Sequence, residues 1–201
     1  MRAFFILLFT FVSVGVYSQD SATEDAGVVI DGVRWATRNV AMPGTFAATP
    51  EEAGMFFQWS RMRGWSSTGE YVDGWDASIP EGSEWELMND PCPPGWRVPT
   101  FNELFALMQV ESVWYSLNGV GGRLFGTAPN QIFLPAAGWR ARQDSGLGGV
   151  GADGAYWGNS ENGNLHARDL GFGPDGVGAA WGWRAGGQSV RCVWNEVEIL
   201  Y

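Results

Sequence analysis

The chain holds one histidine, His166, and two cysteines, Cys92 and Cys192, so nucleophilic or proton-transfer chemistry has few places to sit. A Ser-His-Asp site would need His166 as its base, and no Gly-x-Ser-x-Gly turn surrounds any serine. In "LHARDL" the simpler role for His166 is a strand residue facing solvent or a ligand. A zinc site would want more histidine and cysteine ligands than the chain supplies. The runs "GVGG", "GLGGVG" and "GFG" lack the lysine and the strand-to-helix setting of a phosphate loop, and are expected to be turns. Asp73, Asp76, Glu81, Glu84, Glu86 and Asp90 could include a glycosidase-like carboxylate pair or a Ca²⁺ site, but neither has diagnostic spacing. A solvated acidic loop is expected there. No catalytic residue, metal ligand or cofactor is assigned, and a structural Ca²⁺ stays open.

What remains for function is aromatic. Twelve tryptophans and twelve phenylalanines are spaced by twenty-nine glycines, which suits large side chains gathered from irregular backbone. Trp35, Trp96, Trp139 and Trp157 lie beside strand-like or rigid turn segments and are expected in the core. Trp65, Trp75, Trp181 and Trp183 sit in glycine-rich stretches, read as loops, and are the candidates for exposure. Exposed aromatics on a rigid scaffold are what a surface uses against sugar faces or protein hot spots.

The start of the chain bears on compartment. Arg2, an apolar run of about 14 residues and "VYS" before Gln19 form a secretory signal pattern over residues 1–18. The run falls short of the ~20 residues that span a bilayer, and no later segment is apolar enough to insert. An exported chain with two cysteines is expected to form one disulfide, Cys92 to Cys192, with two free thiols as the other reading. The location implied is extracellular or cell surface, with the periplasm open. There is no lysine, the formal net charge is −10, and such a surface repels nucleic acid and anionic membranes.

About 180 residues remain after the signal, enough for one domain with a real core. Residues 19–27 are polar and read as a flexible lead-in to a single domain over 28–201. "VVIDGVRWAT" places Asp31-Gly32 between two β-rich runs, a type I′ hairpin signature. "TPEEAGMFFQWS" offers Thr49 as N-cap and Pro50 at the first helical position, predicting a short helix broken early at Gly54. Gly64 to Asn89 shows no period and predicts a long ordered loop. "TFNELFALMQ" is the best helix, with a Thr100–Glu103 capping box and an apolar face from Phe101 to Met108. "QIFLPAAGWR" predicts an edge or bulged strand because of its proline. "AYWGNS", "LHARDLGF" and "QSVRCVW" predict three short strands. "DPCPPGWRVPT" is too rich in proline for a helix interior or central strand, and is expected to be a clasp tying the acidic loop to the last strand.

The blocks "VVIDGVRWATRNV", "TPEEAGMFFQW", "DPCPPGWRVPTFNEL", "FLPAAGWR", "YWGNS" and "QSVRCV" follow one another from Val28 to Val193. In order and content they resemble the Fibrobacter succinogenes major paralogous domain family, exported domains common in Bacteroidetes. The resemblance implies an α+β fold of the C-type lectin-like kind: short twisted antiparallel sheets, two helices and long ordered loops. Formylglycine-generating enzymes share that fold, but their reactive cysteine pair near the C-terminus is matched here only by Cys192. The fold is therefore carried over and the activity is not.

In lectin-fold proteins diversified by retroelements, variable residues cluster shortly before the final core strand. From Asn162 to Ala180 this chain has no Lys, Gln, Glu, Met or Trp, the types mutated AAC codons cannot give; glycine-rich loops share that composition. The expectation is a secreted or surface-displayed module whose C-terminal loops meet a protein or glycan, and which is not an enzyme. The residues placed at that surface are Asn159, Asn162, Asn164, His166, Arg168, Asp169, Asp175, Trp181, Trp183 and Arg184. A structural adhesion component without a discrete pocket, or an oxidase or hydrolase, are the other readings.

Overall fold

The computed structural model describes residues 22–196. The signal pattern and residues 19–21 of the lead-in lie outside the described residues. From residue 22 the chain is held rather than free. Asp25 Oδ1 accepts from the Gly27 amide, and its Oδ2 accepts from the Thr37 amide and hydroxyl and from Arg38 Nε. The Phe46 amide donates to the Ala22 carbonyl at 2.6 Å.

The elements run in chain order as β1 (Val28–Ile30), β2 (Val33–Trp35), β3 (Met55–Gln58), β4 (Gly64–Ser66), β5 (Trp96–Arg97) and α1 (Phe101–Gln109). There follow β6 (Ser112–Leu117), β7 (Val120–Thr127), β8 (Asn130–Pro135), β9 (Trp139–Arg140) and β10 (Leu147–Gly148). The last are β11 (Gly154–Glu161), β12 (His166–Gly173), β13 (Gly176–Trp183), β14 (Gly187–Gln188) and β15 (Val193–Trp194). They form four small sheets, ordered β1-β2-β15-β5, β10-β9-β14-β3-β4, β11-β12-β13 and β6-β7-β8. Every ladder between named strands is antiparallel.

The expected fold class, α+β with two helices in a C-type lectin-like arrangement, is therefore corrected. The described residues are mostly β and hold one α-helix. The helix expected after Thr49 does not form; its capping signals produce only a turn, with the Glu52 amide on the Thr49 carbonyl. Gly54 ends that turn at φ +69°, pressed against the Val40 carbonyl where no Cβ fits. The apolar residues beyond it then extend as β3, which pairs between β4 and β14 with Phe56 and Phe57 buried. The Asp31-Gly32 hairpin forms as expected, with both residues at positive φ.

Proline-rich residues 90–100 are tied to the C-terminal segment and lead into α1. Cys92 and Cys192 are bonded, with Cα atoms 6.0 Å apart. Asp90 accepts from the Cys92 and Val98 amides, and Trp96 packs edge-on against Phe46 and Trp194. Thr100 and Glu103 complete the capping box, and Arg97 grips Glu103 with both guanidinium nitrogens at 2.8 and 2.6 Å. Next to Cys192, the buried Arg191 donates to Asn39 Oδ1 and to the Ala36 and Phe133 carbonyls, crosslinking three distant segments. The helix α1 set by this clasp packs across β11, β12 and β13. Its Leu104 and Leu107 join Tyr156, Leu170 and Phe172 in one core cluster.

Candidate functional site

The strands expected at "AYWGNS" and "LHARDLGF" form as β11 and β12, and the glycine-rich stretch after them, expected as a loop, adds β13 to make the three-stranded sheet β11-β12-β13. Strands β12 and β13 pair without a break from His166↔Trp183 to Gly173↔Gly176. Side chains alternate between faces along a strand, so paired residues share a face. Asp169, Gly171 and Gly173 lie on one face with Ala180, Gly178 and Gly176. His166, Arg168, Leu170 and Phe172 lie on the other with Trp183, Trp181, Ala179 and Val177.

This alternation splits the expected site. His166, Arg168, Trp181 and Trp183 do come together. The His166 ring lies 4.5 Å from Trp181 and 4.1 Å from Trp183, Arg142 covers Trp183 at 3.6 Å, and Arg168 covers Phe101 at 4.7 Å. Burial, with Arg142 and Arg184 nearby, holds His166 below its ordinary pKa. Asp169 points to the opposite face. Asn162 and Asn164 sit in the turn joining β11 to β12, while the exposed Asp175 sits in the turn joining β12 to β13, at the far end of strands roughly 26 Å long. Asn159 contributes backbone bonds to Trp85 and Pro99, and its side chain accepts from Ser160.

Arg184 is not a surface group. It is 2% exposed and donates to the carbonyls of Pro80, Gly82, Gly163 and His166 and to Glu161 Oε2 at 2.7 Å. It ties the acidic loop to the β11–β12 turn. Two tryptophan placements also reverse: Trp65 is buried and Trp139 is 42% exposed.

Beside the sheet runs a groove of about 970 Å³. Its floor is the glycine and alanine face of the sheet, including Ala155, Gly171, Gly178 and Ala180, and one wall is Trp139 to Gln143. Gly176 and Gly178 are not at positive φ, and a Cβ on either would meet nothing within 4 Å. Neither backbone conformation nor packing demands glycine there; the absent side chains leave the groove open. The wall is stiffened by Arg140, whose guanidinium donates to the carbonyls of Ser66, Thr68, Gly69, Glu70 and Ser145.

Also lining the groove are Asp169, 3% exposed, and Gln188, 7% exposed. Gln188 Nε2 donates to Asp169 Oδ2 at 2.6 Å, while Asp169 Oδ1 and Gln188 Oε1 have no partner. Burial raises the Asp169 carboxyl to about 7, partly offset by the Gln188 amide. With the carboxyl ionised, these two unmet acceptors on neighbouring side chains are costly unless a donor arrives. Of these groove residues only Asp169 is among those expected at a binding surface; Gln188 and the glycine floor are not, and Trp139 is expected in the core. The signal was there in "GVGAAWGW", where small residues recur at every second position from Gly176 to Gly182.

Among the described residues no three acidic, histidine or cysteine side chains converge as a metal site, and neither cysteine is free. No family model, curated protein or solved structure gives a significant match to the chain.

Proposed function

We propose that the chain is an exported ligand-binding module whose site is the groove over β11-β12-β13, not a set of C-terminal loops. The observation that carries this is the pairing of two unpartnered buried acceptors, Asp169 Oδ1 and Gln188 Oε1, with a floor of residues that keep the space empty. The aromatic side chains of Trp139, Trp181 and Trp183 at its rim supply apolar contact area. The disulfide, and the absence among the described residues of a helix long and apolar enough to cross a membrane, are compatible with export. The six family-like blocks support the same setting. Variation by a retroelement fits less well: Ala167, Asp169, Leu170 and Phe172 lie within residues 162–180 and are buried, so free substitution there would cost core packing.

The test is to screen the mature protein and its Gly178→Phe variant against a glycan array and a peptide library. Phenylalanine at 178 fills the groove from a strand position where its Cβ meets no neighbour. Ligands bound by the wild type should be lost from the variant at an unchanged melting temperature. Ligands held equally by both proteins would move the site elsewhere.

A further inference from the structure

The groove does not stop at the glycine floor. Val177, Ala179 and Trp181, from the opposite face of β13, line it together with Gly178 and Ala180, so the open space follows the outer edge of the strand. β13 is the last strand of its sheet. Over Gly176–Gly182 its backbone makes no hydrogen bond outside the β12 ladder among the described residues. Edge strands are ordinarily blunted by charge, proline or a bulge. "GVGAAWGW" has no charged residue and no proline, its ladder is regular, and Gly178 to Trp181 are exposed.

We propose that this edge takes an extended basic peptide segment of a partner protein, added as a fourth strand beside β13, with an arginine or lysine side chain crossing the glycine–alanine lane to Asp169. This rests on the groove being the binding site.

The spacing of strands gives the reach. Same-face neighbours on adjacent strands are about 5 Å apart. Asp169 lies directly opposite Ala180, so a side chain from a strand beyond β13 must cross one strand of small residues to reach Oδ1. A long basic stem laid on Gly178 and Ala180 with its charged head at Asp169 and Gln188 meets both free acceptors. A shorter or bulkier residue could not do both.

Charge sets the second position. Asp153 Oδ1 is 3.6 Å from where a Gly173 Cβ would stand, on the same face four residues along β12 from Asp169. Four residues of strand span roughly 13 Å. Two basic residues four apart in the added strand would therefore face both carboxylates. Asp175 adds negative charge at the same end. Of the two arginines of the wall, Arg140 has its guanidinium bonded to backbone carbonyls, and Arg142 is stacked on Trp183 at the other end of β13.

The probe is a fluorescein-labelled ten-residue peptide of threonine and valine with two arginines four residues apart, followed by fluorescence anisotropy with the mature protein. Two companion peptides carry backbone N-methyl groups on alternate residues, one on each edge of the strand, and a third replaces both arginines by glutamine. Expected results are saturable binding of the arginine peptide, loss of binding for one N-methylated peptide and retention for the other. Binding should weaken at least about thirtyfold with the glutamine peptide or with Asp169→Asn. Failure of the arginine peptide to bind, equal affinity for the glutamine peptide, or indifference to both methylation patterns would overturn the proposal. A glycan that binds the wild type and not Gly178→Phe, with no peptide binding, overturns it and leaves the groove as the site. Arginine-peptide binding that survives Gly178→Phe overturns both.

Discussion

Asp169→Asn tests the physical state of the groove without any ligand. The carboxyl goes from an ordinary 3.8 to about 7 on folding, because burial penalises its charged form more than the Gln188 amide relieves it. A raised carboxyl means that the folded chain binds the proton more tightly. Its contribution to stability is then full below about 3.8 and is lost as pH rises through about 7. At about 1.36 kcal/mol for each pH unit, the loss on complete ionisation reaches at most about 4 kcal/mol. Asparagine has the same shape, still accepts from Gln188 Nε2, and carries no charge. The stability of Asp169→Asn minus that of the wild type should therefore grow by about 1.4 kcal/mol per pH unit from about pH 4 to 7 and level off above.

Urea unfolding at half-unit steps from pH 4 to 8.5 measures this difference directly. Groups that titrate equally in both proteins, His166 among them, cancel from it. At pH 8 the variant should melt higher by up to roughly 10 °C for a domain of this size. A difference that stays flat across the range would refute the argument, since it would mean that Asp169 is ionised at no cost and the groove is wetter than its burial implies. A positive result has a functional meaning: the cost of the lone charge is what a cationic ligand group would offset on binding.

Replacing Cys92 and Cys192 by serine opens a closed loop of 100 residues and should cost up to about 4 to 5 kcal/mol by loop entropy, seen in denaturant midpoints with and without reductant. Arg184→Ala leaves the Pro80, Gly82 and Gly163 carbonyls without their donor and should cost about 3 to 5 kcal/mol. Glu161→Gln, at the 42% exposed end of the same ion pair, should cost under about 1 kcal/mol. Equal effects of these two would show that the ion pair, and not the carbonyl clamp, is what Arg184 supplies. Thr100→Ala removes the helix cap and should lower stability by about 1 kcal/mol in thermal unfolding.

The elements legible in the sequence were those fixed by neighbours in the chain. Asp31-Gly32 makes its turn because both residues tolerate positive φ, and Thr100 caps α1 because Glu103 is one helical turn away. Pro135 falls on the edge strand β8 because it has no amide for a central ladder. The helix after Thr49 was misjudged although its capping residues are real. Phe56 and Phe57 gain more by burial on β3, paired between β4 and β14, than a helix broken at Gly54 could return.

By itself the sequence determined an acidic composition, the turn and cap chemistry, and a single pair of cysteines. The tertiary structure decided which side chains are inside, because burial depends on partners far along the chain. Arg184 is buried by carbonyls of residues 80 and 82, Trp139 is exposed although it lies in a strand, and Asp169 is stranded beside Gln188. It also made β13 a strand. Glycine and alanine at alternate positions carry almost no hydrophobic signal, so "GVGAAWGW" looks like a loop until β12 pairs with it, and only then do its missing side chains become a groove.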